Sequence, residues 1–193
     1  MSVPAQHEQR AAALRARRSL DAATRDAASR RIAAHFLRSS LFHAASSIGC
    51  FVSMPDEVDT TEILARAWSA GKRIYCPVVA RRRRLRFVEV TRETTLVRRG
   101  FGLLEPEAGA EIEPLELDVV VVPLTAFDPY RHRIGMGGGY YDCTFAALRK
   151  RRTWLKPKLV GVAFECQKVP KIKANSWDVP LFEVITERHG MRR

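Results

Sequence analysis

The chain has 193 residues, 46% hydrophobic and 28% charged, which excludes fibrous, collagen-like and wholly disordered proteins. At this length a folded chain buries roughly 70% of its unfolded surface, enough to need neither disulfides nor a structural metal. Lysine and arginine number 33 against 21 aspartates and glutamates, a formal charge of +12. That field attracts polyanions (nucleic acid, nucleotides or a polyacidic substrate) without choosing between them.

From about Glu8 to Leu41, apolar residues recur at helical spacing, with a break at Leu20-Asp21 and a stripe of Ala28, Ile32 and Phe36 beyond it. Ser47–Ser53 reads as the first buried strand. Asp59-Thr-Thr-Glu62 supplies an N-cap with Glu at the third helical position, predicting a helix through Trp68 that Gly71 ends. Arg73–Val79 is the next strand, and the β–helix–β order implies parallel pairing. The run Arg81–Arg84 then reads as a solvated turn. A hairpin-like middle is expected around Leu85–Val90 and Thr95–Val97, followed by an extended crossing from Glu105 to Glu116. Asp118–Leu124 is an unbroken apolar strand of the buried parallel type. A helix from about Tyr141 to Arg151 and strands at Leu159–Phe164 and Glu183–Thr186 complete the pattern.

These elements predict an α/β chain, a three-layer α/β/α Rossmann-like domain with a mostly parallel sheet. One domain over residues 1–193 is expected, with a helical segment at about 7–38 packing on its core. No apolar run approaches the ~20 residues that span a bilayer. The Arg-rich N-terminus lacks an apolar signal core, and Glu8, Asp21 and Asp26 argue against a transit peptide. Cys50, Cys76 and Cys166 sit in or beside apolar segments and read as buried free thiols, with Cys143 as packing. A cytoplasmic monomer is the expected state.

The densest chemical signal is Arg133-Ile134-Gly135-Met136-Gly137-Gly138-Gly139-Tyr140-Tyr141-Asp142. Four glycines in five positions, between a buried strand and a helix, let successive amides converge into an anion-binding nest beside a helix N-terminus. The closing Lys-Ser/Thr of a Walker A loop is missing, and the spacing is not GxGxxG. Arg133 suits a phosphate. Asp142 would repel a bare phosphate, so it either meets the phosphates through a divalent cation or simply caps the helix.

Further motifs lie in order along nearly the whole chain: Arg10 with Arg17-Arg18-Ser-Leu20, Phe51–Glu57, Gly71-Lys72-Arg73, Gly100–Pro106, Pro123–Asp128, Gly161–Phe164 with Gln167, and Trp177–Leu181. Together with the glycine loop, the sequence resembles the 5-formyltetrahydrofolate cyclo-ligase family, also called 5,10-methenyltetrahydrofolate synthetases. The resemblance implies that MgATP phosphorylates the formyl oxygen of 5-formyltetrahydrofolate and that N10 then closes the ring, giving 5,10-methenyltetrahydrofolate, ADP and phosphate. It places Arg10 and Arg133–Tyr141 on ATP, with Arg133 and Tyr140 catalytic. Asp142 and Asp178 fall to Mg²⁺. Val52, Glu57 and Met136–Tyr140 (Met136, Gly137, Gly138, Gly139, Tyr140) fall to the folate, whose tail a +12 surface would suit if polyglutamylated. Gln6, Cys143 and Trp177 depart from residues frequent in the family, and no acid–base role passes to Trp177. The rival readings are a basic nucleic-acid-binding module and a sugar-phosphate or CoA-type enzyme on a related fold.

Overall fold

Two helices open the described chain, α1 (Gln6–Arg18) and α2 (Ala22–Leu37), parted at the predicted break. Asp21 caps α2 there, its carboxylate accepting the Thr24 amide at 2.8 Å. The structure, a computed structural model, describes residues 5–150, 156–188 and 190–191. After α3 (Ser40–Ala44) come β1 (Ser47–Gly49), α4 (Thr61–Ser69), β2 (Arg73–Val79) and β3 (Leu85–Val90). Next are β4 (Leu96–Arg98), β5 (Leu104–Pro106), β6 (Glu111–Ile112), β7 (Val119–Pro123), β8 (Ala126–Phe127) and β9 (Arg133–Ile134). Then α5 (Tyr140–Thr144) precedes β10 (Lys158–Val162), β11 (Glu183–Ile185) and β12 (Gly190–Met191).

Eight strands form one sheet in the order β12-β11-β10-β7-β1-β2-β3-β6. The five from β11 to β2 run parallel, with Ile48 facing both Ile74 and Val119, while β12, β3 and β6 pair antiparallel at the edges. Alternation along β7 shows why its valine run is continuous. Val119 and Val121 enter the core beneath α2 and α4, with Ile32, Phe36 and Ile63. Val120 and Val122 enter the opposite core, with Phe87, Phe145 and Leu148. Both faces are thus covered, as a three-layer α/β sandwich requires. A third cluster joins Ala13 of α1 to Ala126, Ile134 and Ile172, seating α1 on the β8–β9 hairpin. No helix among the described residues is long and apolar enough to cross a membrane.

Four local expectations need correction. β3 pairs with β2 across the Arg81–Arg84 turn, and β4 pairs with β5 in a separate ladder, so Leu85–Val90 and Thr95–Val97 are not partners. The box expected at Asp59-Thr-Thr-Glu62 does not form. Asp59 still accepts the Thr61 amide at 2.9 Å, but its own amide donates to Ser29 on α2 instead of Glu62, so α4 starts one residue later. The helix after the glycine loop is α-helical only to Thr144 and continues as a 3₁₀ turn over Ala146–Lys150; Arg151 and Arg152 lie outside the described residues. Cys50 and Cys76 are buried, but Cys166 is exposed on a 3₁₀ turn. The Arg81–Arg84 turn is exposed as expected, with Arg82 and Arg83 at positive φ.

Candidate active site

The parallel strands β1, β7 and β10 end on one edge, where open α/β sheets hold ligands. Beyond β1 lies the segment carrying Val52 and Glu57. Beyond β7 the chain makes the β8–β9 hairpin and then the glycine loop. Beyond β10 comes Gln167, a buried amide that donates to the carbonyls of Leu124 (2.9 Å) and Thr125 (2.8 Å) and pins the start of the β7 excursion. Asp128, wholly buried, accepts the amides of Tyr130, His132 and Ile172 and faces His132 Nδ1 at 3.0 Å. His132 is therefore tied to the hairpin turn.

The loop starts at Gly135, whose carbonyl accepts Arg10 Nε from α1 at 2.8 Å. Gly137 (φ 99°) and Gly139 (φ 70°) are left-handed, a conformation that glycine adopts without Cβ strain, and Gly139 is the N-cap of α5. Met136 is exposed, and the Thr125 hydroxyl lies 3.4 Å from its sulfur. The ring of Tyr140 covers Gly138 so closely that a Cβ there would sit 2.6 Å from it.

Arg133 and Asp142 form one clamp. Arg133 Nη2 lies 2.6 Å from Asp142 Oδ1, its Nη1 donates to the Val179 carbonyl, and the Val179 amide donates back to Asp142 Oδ1 at 2.9 Å. Asp142 Oδ2 accepts no hydrogen bond from the described residues. Neighbouring Asp178 is turned to Asn175, accepting its amide at 2.8 Å. Trp177 beside it is exposed. No group of three or more potential metal ligands occurs among the described residues.

Val52 and Glu57 line a cleft of about 440 Å³, walled also by Arg25, Ser29, Met54 and, from the β4–β5 ladder, Arg98 and Leu104. Burial pushes the Glu57 carboxyl above its usual range, against the Met54 amide (3.1 Å) and the charge of Arg17, which lower it. Burial likewise pushes the Tyr141 phenol up, with Cys50 and Glu57 adding to the shift and Arg133 opposing it. Tyr141 packs against the core that contains Phe87 and Phe145, its ring stacked on Phe145.

Sequence reasoning placed Arg10, the glycine loop, Arg133 and Asp142 together, and the structure has them in contact. Val52 and Glu57 occupy a separate wall. Two further groups join them: the Val179 main chain, which carries no side-chain signal, and Arg17, which the sequence offers as part of a basic motif but without a partner. Arg17 follows Arg10 at a seven-residue interval, which puts both on one face of a helix but does not name the carboxylates that Arg17 meets.

The matched family and relatives give no support to the nucleic-acid or sugar-phosphate alternatives. Residues 3–187 match the family model described as the 5-formyltetrahydrofolate cyclo-ligase family. The chain is 37% identical over 146 residues to 5-formyltetrahydrofolate cyclo-ligase of Escherichia coli (strain K12), covering 74% of this chain and 78% of the relative. It is 31% identical over 175 residues to the Haemophilus influenzae protein of that name, covering 88% and 90%. Its fold is similar to the NMR structure of Aquifex aeolicus 5,10-methenyltetrahydrofolate synthetase, with a TM-score of 0.83 and 27% identity over 97% of this chain and 92% of that one. The match across nearly its whole length, with the glycine loop and its arginines gathered at the sheet edge, makes this chain a member of the 5-formyltetrahydrofolate cyclo-ligase family.

Proposed function

We propose that this protein converts 5-formyltetrahydrofolate to 5,10-methenyltetrahydrofolate at the expense of ATP, releasing ADP and phosphate. The observation that carries the reading is the glycine loop, bent by two left-handed residues at the start of α5 and gripped by Arg10. Its amides and the α5 N-terminus offer donors for phosphate oxygens without side chains in the way. Arg133 supplies a cation held at a fixed place, and Tyr140 borders the loop where the formyl group would lie.

ATP supplies the phosphoryl group that turns the formyl oxygen into a leaving group before N10 closes the ring. The chain's own work is alignment and charge stabilisation, the main demands of phosphoryl transfer. Glu57 in its cleft would accept N–H groups from the pterin edge, with Val52 against the ring. The donor set suits Mg²⁺, which keeps several waters and takes few protein ligands. Asp142 through Oδ2 and Asp178 would hold it, and it would neutralise charge on the phosphates. All four cysteines are free thiols, in keeping with a cytoplasmic enzyme. We read it as a monomer acting on folates with one or more glutamates.

The test is incubation of the protein with MgATP and 5-formyltetrahydrofolate, following the absorbance of the methenyl product. Product should form with one ADP released per turnover and none without ATP. Folded protein that yields no product with both substrates present contradicts the reading.

A further inference from the structure

We propose that Arg17 is a positioning residue for the folate, holding the Glu57 carboxylate in place from the buried face of α1. This inference rests on the proposed assignment of Glu57 to the substrate. The buried stripe of α1 consists of Gln9, Ala13 and Arg17, so a guanidinium occupies a position where a helix ordinarily buries an apolar residue. A buried cation is costly unless it is paired. The Arg17 side chain is only 6% exposed. Its Nη2 lies 2.8 Å from Asp56 Oδ2, and its Nη1 lies 3.9 Å from Glu57 Oε1. The second distance is too long for a hydrogen bond but short enough for charge attraction.

The two carboxylates respond differently. Burial works against ionisation of Asp56, yet the hydrogen bond and charge of Arg17 hold that carboxyl below its usual range. Glu57 is more deeply buried and is pushed up despite Arg17. Met54 fixes Oε2 of Glu57 at 3.1 Å, while Arg17 faces Oε1. The carboxylate is thereby oriented in the cleft wall and kept available as an acceptor. Other charged or titratable groups around it are Asp56 on the same turn, Tyr141 from α5, Arg25 and Asp26 from α2, Asp59 before α4 and Arg98 from β4. Seven residues earlier on α1, Arg10 reaches the glycine loop. About 10 Å of helix at 1.5 Å per residue therefore separates the residue holding one substrate's loop from the residue holding the other's.

The experiment titrates 5-formyltetrahydrofolate and, separately, MgATP into the wild type, Arg17→Met, Arg17→Lys and Asp56→Asn by calorimetry between pH 6 and 8.5, with thermal melts alongside. Arg17→Met should weaken folate binding about 30-fold or more, as truncating one partner of a buried charge pair does, and leave MgATP affinity within about twofold. The folate deficit should widen as pH falls, because Glu57 without its cation takes up a proton sooner. Arg17→Lys should recover part of the affinity. Asp56→Asn removes the structural tie but keeps the charge facing Glu57, so folate affinity should stay within about threefold. Arg17→Met with wild-type folate affinity, or Asp56→Asn as defective as Arg17→Met, overturns the inference while leaving the proposed function intact. A wild type that binds no folate defeats both.

Discussion

Arg133→Ala should lower kcat about 10³-fold, the upper end of what losing one preorganised donor costs, and should destabilise the fold as well. The sequence alone suggests that replacing Arg133 or Asp142 would leave the fold nearly unchanged. The clamp changes that expectation. Arg133 is 6% exposed and Asp142 23%, and both hold the main chain of Val179. Alanine leaves Asp142 without its cation, and breaking a buried pair by removing one partner costs about 3 kcal/mol. Asp142→Asn keeps an oxygen for the Val179 amide and should match the loss of turnover with a smaller fall in Tm. Rates followed by product absorbance, with Tm from scanning calorimetry, separate the two effects. Arg133→Ala turning over within threefold of wild type would remove the arginine from the chemistry.

Glu57→Gln should raise KM for the folate about 10²-fold, because a charge-assisted acceptor becomes a neutral amide that must also avoid presenting its own donors. The same substitution should not destabilise the protein at neutral pH. Burial raises the Glu57 pKa on folding, so ionising this carboxyl costs more in the native state than in the unfolded chain. Its contribution to stability is present at low pH and is lost as pH rises through the raised folded value. Glutamine has no such loss. Thermal melts of the two proteins should therefore diverge in favour of Glu57→Gln as pH rises from 4 to 7, while folate affinity moves the other way. A substitution that lowers Tm more at pH 7 than at pH 4 would mean that Glu57 is a stabilising ion-pair partner rather than a carboxylate kept buried for the substrate.

The frame of the fold was legible because buried parallel strands advertise themselves. Val119–Val122 must be apolar on both faces, and the stripe of Ala28, Ile32 and Phe36 has one face to bury. The glycine loop was legible because its signal is local, four glycines in five positions. Pairing choices were not. Leu85–Val90 is flanked by β2, brought back by the tight Arg81–Arg84 turn, and by β6 from the far end of the crossing loop, which leaves no edge for Thr95–Val97. Asp59 looked like one half of a box until Ser29, thirty residues earlier, took its amide. Arg17 read as one more basic residue on a basic helix, since Asp56 and Glu57 stand about forty residues away and the contact exists only once α1 is seated. Local chemistry was readable, whereas partners brought by tertiary packing were not.

Whether the glycine loop takes a triphosphate is settled most directly by calorimetric titration of MgATP into the wild-type protein without folate. The account predicts heat with one-site stoichiometry, and a weaker but still measurable titration in Arg133→Ala. A flat titration with folded protein and Mg²⁺ in excess would contradict it.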